Sequence, residues 1–145
     1  MASLRVVRKA LAARVRTIEG LRVRDQVPGE VSPPAVVIVP GVGKAPPIDY
    51  DKAFAGGSHA MNFAVKILVG AAHDLSAQDA LDAYLDPDGA RSVKAAIEAD
   101  MAELVHDGDV VADYAQVRAC THYGFIDWAG VTYLGAEMHC EVLAR

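Results

Sequence analysis

Apolar residues recur along this chain in two rhythms, and the switches between them mark its elements. Leu4, Val7, Leu11, Val15 and Ile18 are spaced by three and four, which at 100° per residue lines them along one side of a helix over 4–17. Ser3 stands where a hydroxyl accepts from a free N–H of the first turn, and Gly20 supplies the left-handed residue that ends the run. From Leu21 the period drops to two. Leu21, Val23, Asp25 and Val27 alternate with Arg22, Arg24 and Gln26, which predicts a half-buried strand over 21–27, broken by Pro28-Gly29. Ala35-Val-Val-Ile-Val39 is unbroken apolar sequence between Pro33-Pro34 and Pro40-Gly41, the pattern of a central strand covered on both faces. Phe63, Val65, Ile67 and Val69 share one face of a further strand over 61–69, ended by Gly70.

Between these strands, 41–60 is a long segment rich in Gly, Pro, Lys and Asp with aromatic anchors at Tyr50 and Phe54. Connections of this length in compact domains are usually functional or disordered, so a long loop or extended hairpin that touches a partner is expected. Ser76 caps a helix reaching Leu85, with Asp79 adding negative charge to its first turn. Asp86-Pro-Asp-Gly89 turns the chain, and Ser92 caps a helix over 93–104 whose stripe is Val93, Ala96, Ile97, Met101 and Leu104. The stretch from Val110 to Leu143, punctuated by Gly124, Ala129-Gly130 and Gly135, reads as two or three antiparallel strands. The order is α-β-β-β-α-α-β-β-β. Helices segregated from runs of strands predict an α+β fold, a mostly antiparallel sheet packed by helices in one domain spanning 1–145. No fixed-period repeat or low-complexity tract interrupts it.

Composition agrees: 145 residues, 52% hydrophobic, with a net charge of −5, suit one buried core and exclude wholesale disorder. No apolar run approaches the ~20 residues that span a bilayer. Two cysteines, Cys120 and Cys140, do not make a disulfide scaffold, and free thiols suit a reducing compartment. The charge is uneven. Residues 1–24 hold seven basic groups against Glu19, about +6, which leaves about −11 for the remainder. An arginine-bearing, acid-poor start resembles an organellar presequence, but its apolar stripe runs straight into a strand, so the helix belongs to the fold and the mature chain is expected to begin near Met1. The basic arm is either a solvated face paired with acidic neighbours or a contact surface; a pI near 5.4 argues against a nucleic-acid reader.

Chemistry is sparse. Gly41-Val-Gly43-Lys44 lacks the glycine spacing and following helix of a phosphate loop. Ser58 and His59 are adjacent, and neighbours on a strand point to opposite sides. The carboxylates of Asp49 and Asp51, or of Asp79 and Asp82, fall in loops and a helix first turn, where solvation and the helix dipole account for them. One constellation is pointed. If Ala129-Gly130 is a two-residue turn, Cys120 falls opposite His139 and His122 opposite Glu137, four zinc-type ligands on one face. A bulge at Gly124 slips the register by one and scatters half of them, which leaves a polar outer face. The expectation is no metal, no cofactor and no catalytic residue.

Several segments occur in a familiar order. They are Ile18-Glu-Gly-Leu-Arg-Val-Arg-Asp25 with Pro33-Pro-Ala-Val-Val37, Tyr50-Asp-Lys-Ala-Phe-Ala-Gly-Gly57, and Phe63-Ala-Val-Lys-Ile-Leu-Val-Gly70. Ser76-Ala-Gln-Asp-Ala-Leu-Asp-Ala-Tyr-Leu85, Ser92-Val-Lys-Ala-Ala-Ile-Glu98, Tyr133-Leu-Gly-Ala-Glu137 and Glu141-Val-Leu-Ala-Arg145 complete the set. In order, spacing and total length the chain resembles the tail terminator proteins of long-tailed, siphovirus-type bacteriophages infecting actinobacteria. It departs from them at Thr121-His-Tyr-Gly-Phe and Met138-His-Cys. The resemblance implies a non-enzymatic virion protein, assembled in the host cytoplasm and located at the neck end of the tail. Such a protein forms a homohexameric ring on the last ring of tail tube protein, stops tube growth and offers a docking surface to the head-side neck or connector protein. Double-stranded DNA passes through its lumen without specific binding, and no membrane is involved. Six copies at −5 total about −30, a balance that keeps DNA from sticking. On this reading Arg5, Arg8, Arg14 and Arg16 meet a neighbouring subunit, and the arm with Tyr50 and Phe54 reaches a neighbour or the tube. Another head-to-tail connector, an adaptor or stopper, is the nearest alternative, and a small cytosolic binding module with a concave pocket is a more distant one.

Overall fold

The first helix, α1 (Leu4–Val15), forms where the three-four spacing places it. The Ser3 hydroxyl accepts from the Val6 N–H at 3.2 Å, and the stripe of Val7, Ala10, Leu11, Ala12 and Val15 is buried. A computed structural model of the chain describes residues 2–24, 31–50, 59–71, 76–99 and 103–145. The strands and remaining helices follow as β1 (Arg22–Arg24), β2 (Ala35–Pro40), β3 (Ile48–Asp49), β4 (His59–Ala71), α2 (Ser76–Leu85), α3 (Val93–Ile97), β5 (Leu104–His106), β6 (Asp109–Trp128) and β7 (Val131–Ala144). The α+β class and the expected order hold, with the short β3 added inside the 41–60 segment.

One sheet carries the fold, in the order β1-β2-β4-β7-β6-β5, with β3 pairing to β4 beyond the end of β2. β1 and β2 are parallel and every other described pairing is antiparallel. β2 is interior and buried on both faces as expected, yet it lies next to the terminal strand; β4 and β7 hold the centre. On β4 the side chains of Met61, Phe63, Val65 and Ile67 meet those of Ala136, Met138, Cys140 and Val142 on β7 in the core under the helices. α1 packs against both terminal strands, β5 and β1, and against α3, which also contacts α2. No helix among the described residues is long and apolar enough to cross a membrane.

Three sequence expectations change. The strand expected over 21–27 is described as Arg22–Arg24, and 25–30 lie outside the described residues. The helix expected over 93–104 stops after Ile97, although Ser92 caps it as foreseen, accepting from the Ala95 N–H at 3.0 Å. Leu104 is buried, but on a strand: Asp107 and Gly108, both at positive φ, turn β5 back along β6. An apolar residue at 104 satisfies a helical stripe and a strand equally, and the Asp-Gly turn decides between them. The described part of the long segment, 41–50, is no free hairpin. Buried Asn62 on β4 clamps it, its side-chain amide donating to the Pro46 carbonyl at 2.9 Å and its backbone bonding Pro47 and Gly41.

Among the described glycines, Gly135 has the closest neighbour. A Cβ there would lie 2.3 Å from the Ile67 carbonyl oxygen and 3.2 Å from the Ile126 and Leu68 side chains. Backbone cannot yield as a side-chain tip does, so Gly135→Ala is expected to destabilise by about 3 kcal/mol. Gly130 has open space around it and a positive φ; Gly130→Ala is expected to lose about 1 kcal/mol. Urea unfolding of the two variants beside the wild type checks the ranking.

Candidate assembly surface

The β6–β7 hairpin closes through Ala129 (φ 51) and Gly130 (φ 81), with Trp128 facing Val131. His122 therefore pairs with Glu137, as the two-residue turn predicts. The slip falls at Thr121, not at Gly124: Cys120 faces Met138, and His139 faces Ala119. Cys120 and His139 thus end on opposite faces. Among the described residues no three metal-ligating side chains gather. Each member of the set has another partner. The Cys120 thiol donates to the His122 carbonyl at 3.3 Å, and His122 Nε2 bonds the Phe125 carbonyl at 3.0 Å. Thr121 donates to the Glu137 carboxylate at 3.1 Å, and His139 Nε2 pairs with Asn62 Oδ1 at 2.7 Å. His59 lies edge-on to Tyr50, ring centroids 5.3 Å apart, and Ser58 is outside the described residues.

On the sheet face turned away from the helices, Lys66, Glu137 and His122 stand in one row across β4, β7 and β6. Ile126 and Phe125, whose carbonyl bonds His122, line a cleft of about 200 Å³ there. The Lys66 ammonium lies 3.9 Å from the Glu137 carboxylate and 5.6 Å from the centre of the Trp128 ring, so its charge is met by a carboxylate and an aromatic face. Ligand pockets run from ~300 to 1,000 Å³ and leave convergent polar groups free for the ligand. This cleft is smaller, and its charged groups are already engaged.

The predicted contact residues divide. Arg14 donates to the Glu103 carbonyl just before β5, and exposed Arg16 donates to the Val23 carbonyl of β1 at 3.4 Å, so both tie α1 to its own sheet. Exposed Arg5, with half-buried Arg8 and Lys9, makes no ion pair among the described residues, and α1 has no acidic residue in its first turn. Tyr50 is 59% exposed at the end of the clamped segment. Phe54 lies outside the described residues.

Sequence reasoning missed the apolar tip of the β6–β7 hairpin. Tyr123, Phe125 and Val131 are 42%, 63% and 49% exposed. The Tyr123 hydroxyl donates to Asp82 on α2 at 2.6 Å, and that bond, with some burial, raises its ionisation above the ordinary tyrosine range. Among the described residues no strand pairs with the outer edge of β6 beyond Ala112. Bulges at 113, 118 and 121 crowd the near half of that edge, a common guard against stray pairing. The run of Tyr, Gly, Phe and Ile at 123–126 held a signal: aromatic strand residues with no charge among them.

The two thiols differ in kind. Cys140 is fully buried, and desolvation, with the Glu98 and Glu141 carboxylates adding, pushes it up to about 12. Cys120 is exposed. A thiol reagent should modify Cys120 in the native protein and reach Cys140 after unfolding. Because the Cys140 pKa is raised in the fold, its contribution to stability is complete below the ordinary thiol range and is lost as pH rises, the unfolded chain ionising first. Cys140→Ala is expected to flatten that alkaline loss in a pH series of melting curves. No family model matches this chain, and no curated protein does.

Proposed function

We propose that this protein is a ring-forming virion subunit that caps the neck end of a phage tail tube, stops its growth and presents a docking surface to the head. The observation that carries the reading is the unpaired charge of α1: Arg5, Arg8 and Lys9 stand on the helix without a carboxylate partner among the described residues, on a chain of net charge −5. Cations left unmatched in a protein with surplus acid are available to complement an acidic surface on another molecule. The exposed aromatics at the hairpin tip support the same conclusion, since clustered apolar side chains in water mark contact sites. A small, internally satisfied cleft favours an assembly part over a ligand-binding module. A closed ring needs two different surfaces on each copy, and an uneven charge distribution supplies them.

Negative-stain imaging of the protein mixed with tubes of the phage's tail protein tests the proposal. Rings at tube ends are expected. Binding to filled heads with bare tube ends would move the protein to the head side of the neck, as an adaptor or stopper. Arg5→Glu with Arg8→Glu should leave the melting temperature within a few degrees of wild type and abolish capping.

A further inference from the structure

The charge that α1 lacks a partner for has a counterpart elsewhere on the same molecule. Helix α2 presents Asp79 and Asp82 on its exposed side, and the turn after it adds Asp86 and Asp88. There is no basic residue in the last turn of α2, and Asp79, Asp86 and Asp88 make no ion pair among the described residues. The apolar hairpin tip adjoins this acidic strip, joined to it by the bond from Tyr123 to Asp82. Phe125, on the same hairpin face as Tyr123, lies exposed on that tip. The result is an apolar patch with an acidic border. It differs in kind from the apolar side of α1, which is consumed by the core, and from the α1 outer face, which is cationic.

Among the described residues no ion pair joins this patch to the chain's own α1. Helix α3 packs against both α1 and α2, and the buried stripe of α1 fixes that helix between β1 and β5. The cations and the acids therefore occupy separate sites of one protomer. We propose that the acidic side of α2, with the β6–β7 hairpin tip, receives the outer face of α1 from a second copy of this chain. The inference rests on the ring reading above and names the two surfaces that would meet.

The dimensions agree. Arg5 and Lys9 are one helical turn apart, about 6 Å, on one side of α1. Asp79 and Asp82 stand one turn apart on α2, and Asp86 follows just past its last residue, Leu85. Exposed Ala13, a turn beyond Lys9, leaves room for a ring such as Phe125 to approach the helix. A contact between unlike surfaces is heterologous and repeats head to tail, so each added copy offers a fresh α1 and a fresh α2.

The test is sedimentation velocity on the full chain at low salt with two charge-reversed variants. Arg5→Glu with Lys9→Glu makes both surfaces acidic, and Asp79→Lys with Asp86→Lys makes both basic; circular dichroism and melting establish that each is folded. Each variant alone should self-associate at least about tenfold more weakly than wild type. An equimolar mixture should recover association, because each surface of one variant then complements the other surface of its partner. Phe125→Ser should weaken wild-type association without altering its salt dependence. A wild type monomeric at low salt, variants that associate as wild type does, or a mixture that fails to recover would each overturn the interface. Normal capping of tubes by the Arg5→Glu, Lys9→Glu variant would discard this interface and keep the ring reading. Recovery in the mixture with no capping by wild type would keep the interface and discard the tube.

Discussion

Everything outward on this protein depends on the seat of α1. Its buried stripe from Val7 to Val15 lies against the two strands that terminate the sheet, β5 and β1. A sheet that curls must finish somewhere, and an unpaired end exposes backbone donors and acceptors. Here a helix touches both ends. Arg14 and Arg16 then donate to backbone carbonyls at Glu103 and Val23, next to β5 and within β1, so apolar contact and charge-assisted bonds act in the same place. Full burial of each Val or Leu contributes ~1.5–3 kcal/mol, which outweighs what any exposed ion pair on the other side of the helix can offer.

That fixed seat is why the remaining cations of α1 face outward. With Val7, Leu11 and Val15 held in the core, Arg5 and Lys9 fall off the buried stripe and make no ion pair with the acids of α2 among the described residues. The uneven charge seen along the sequence thus becomes an uneven charge in space. Its assembly role is a proposal, but its physical origin is the packing of one helix.

The second constraint lies at the middle of the sheet. Gly135 brings β7 so near the Ile67 carbonyl that no side chain fits. Around and beyond that point the hairpin leaves Tyr123, Phe125 and Val131 exposed, while its near half is irregular from three bulges. Bulges re-aim side chains, and the one at Thr121 separates Cys120 from His139 and dissolves the metal-like set. The same hairpin therefore parts Cys120 from His139 and leaves aromatic side chains exposed at its tip.

Features set by residues a few positions apart were legible in the sequence. The caps at Ser3 and Ser92, the stripe of α1, the alternation of β4 and the two-residue turn at Ala129-Gly130 all follow from local sterics and hydrogen bonding. The Asp107-Gly108 turn was equally local; it was hidden because the apolar residues before it also fit a helix. Tertiary structure decided the rest, because the groups concerned are distant along the chain. Arg14 meets the carbonyl of Glu103, Tyr123 meets Asp82, and His139 meets Asn62. Which cations and aromatic rings stay uncovered depends on where every other element lies, and a periodicity spanning a dozen residues carries no record of that.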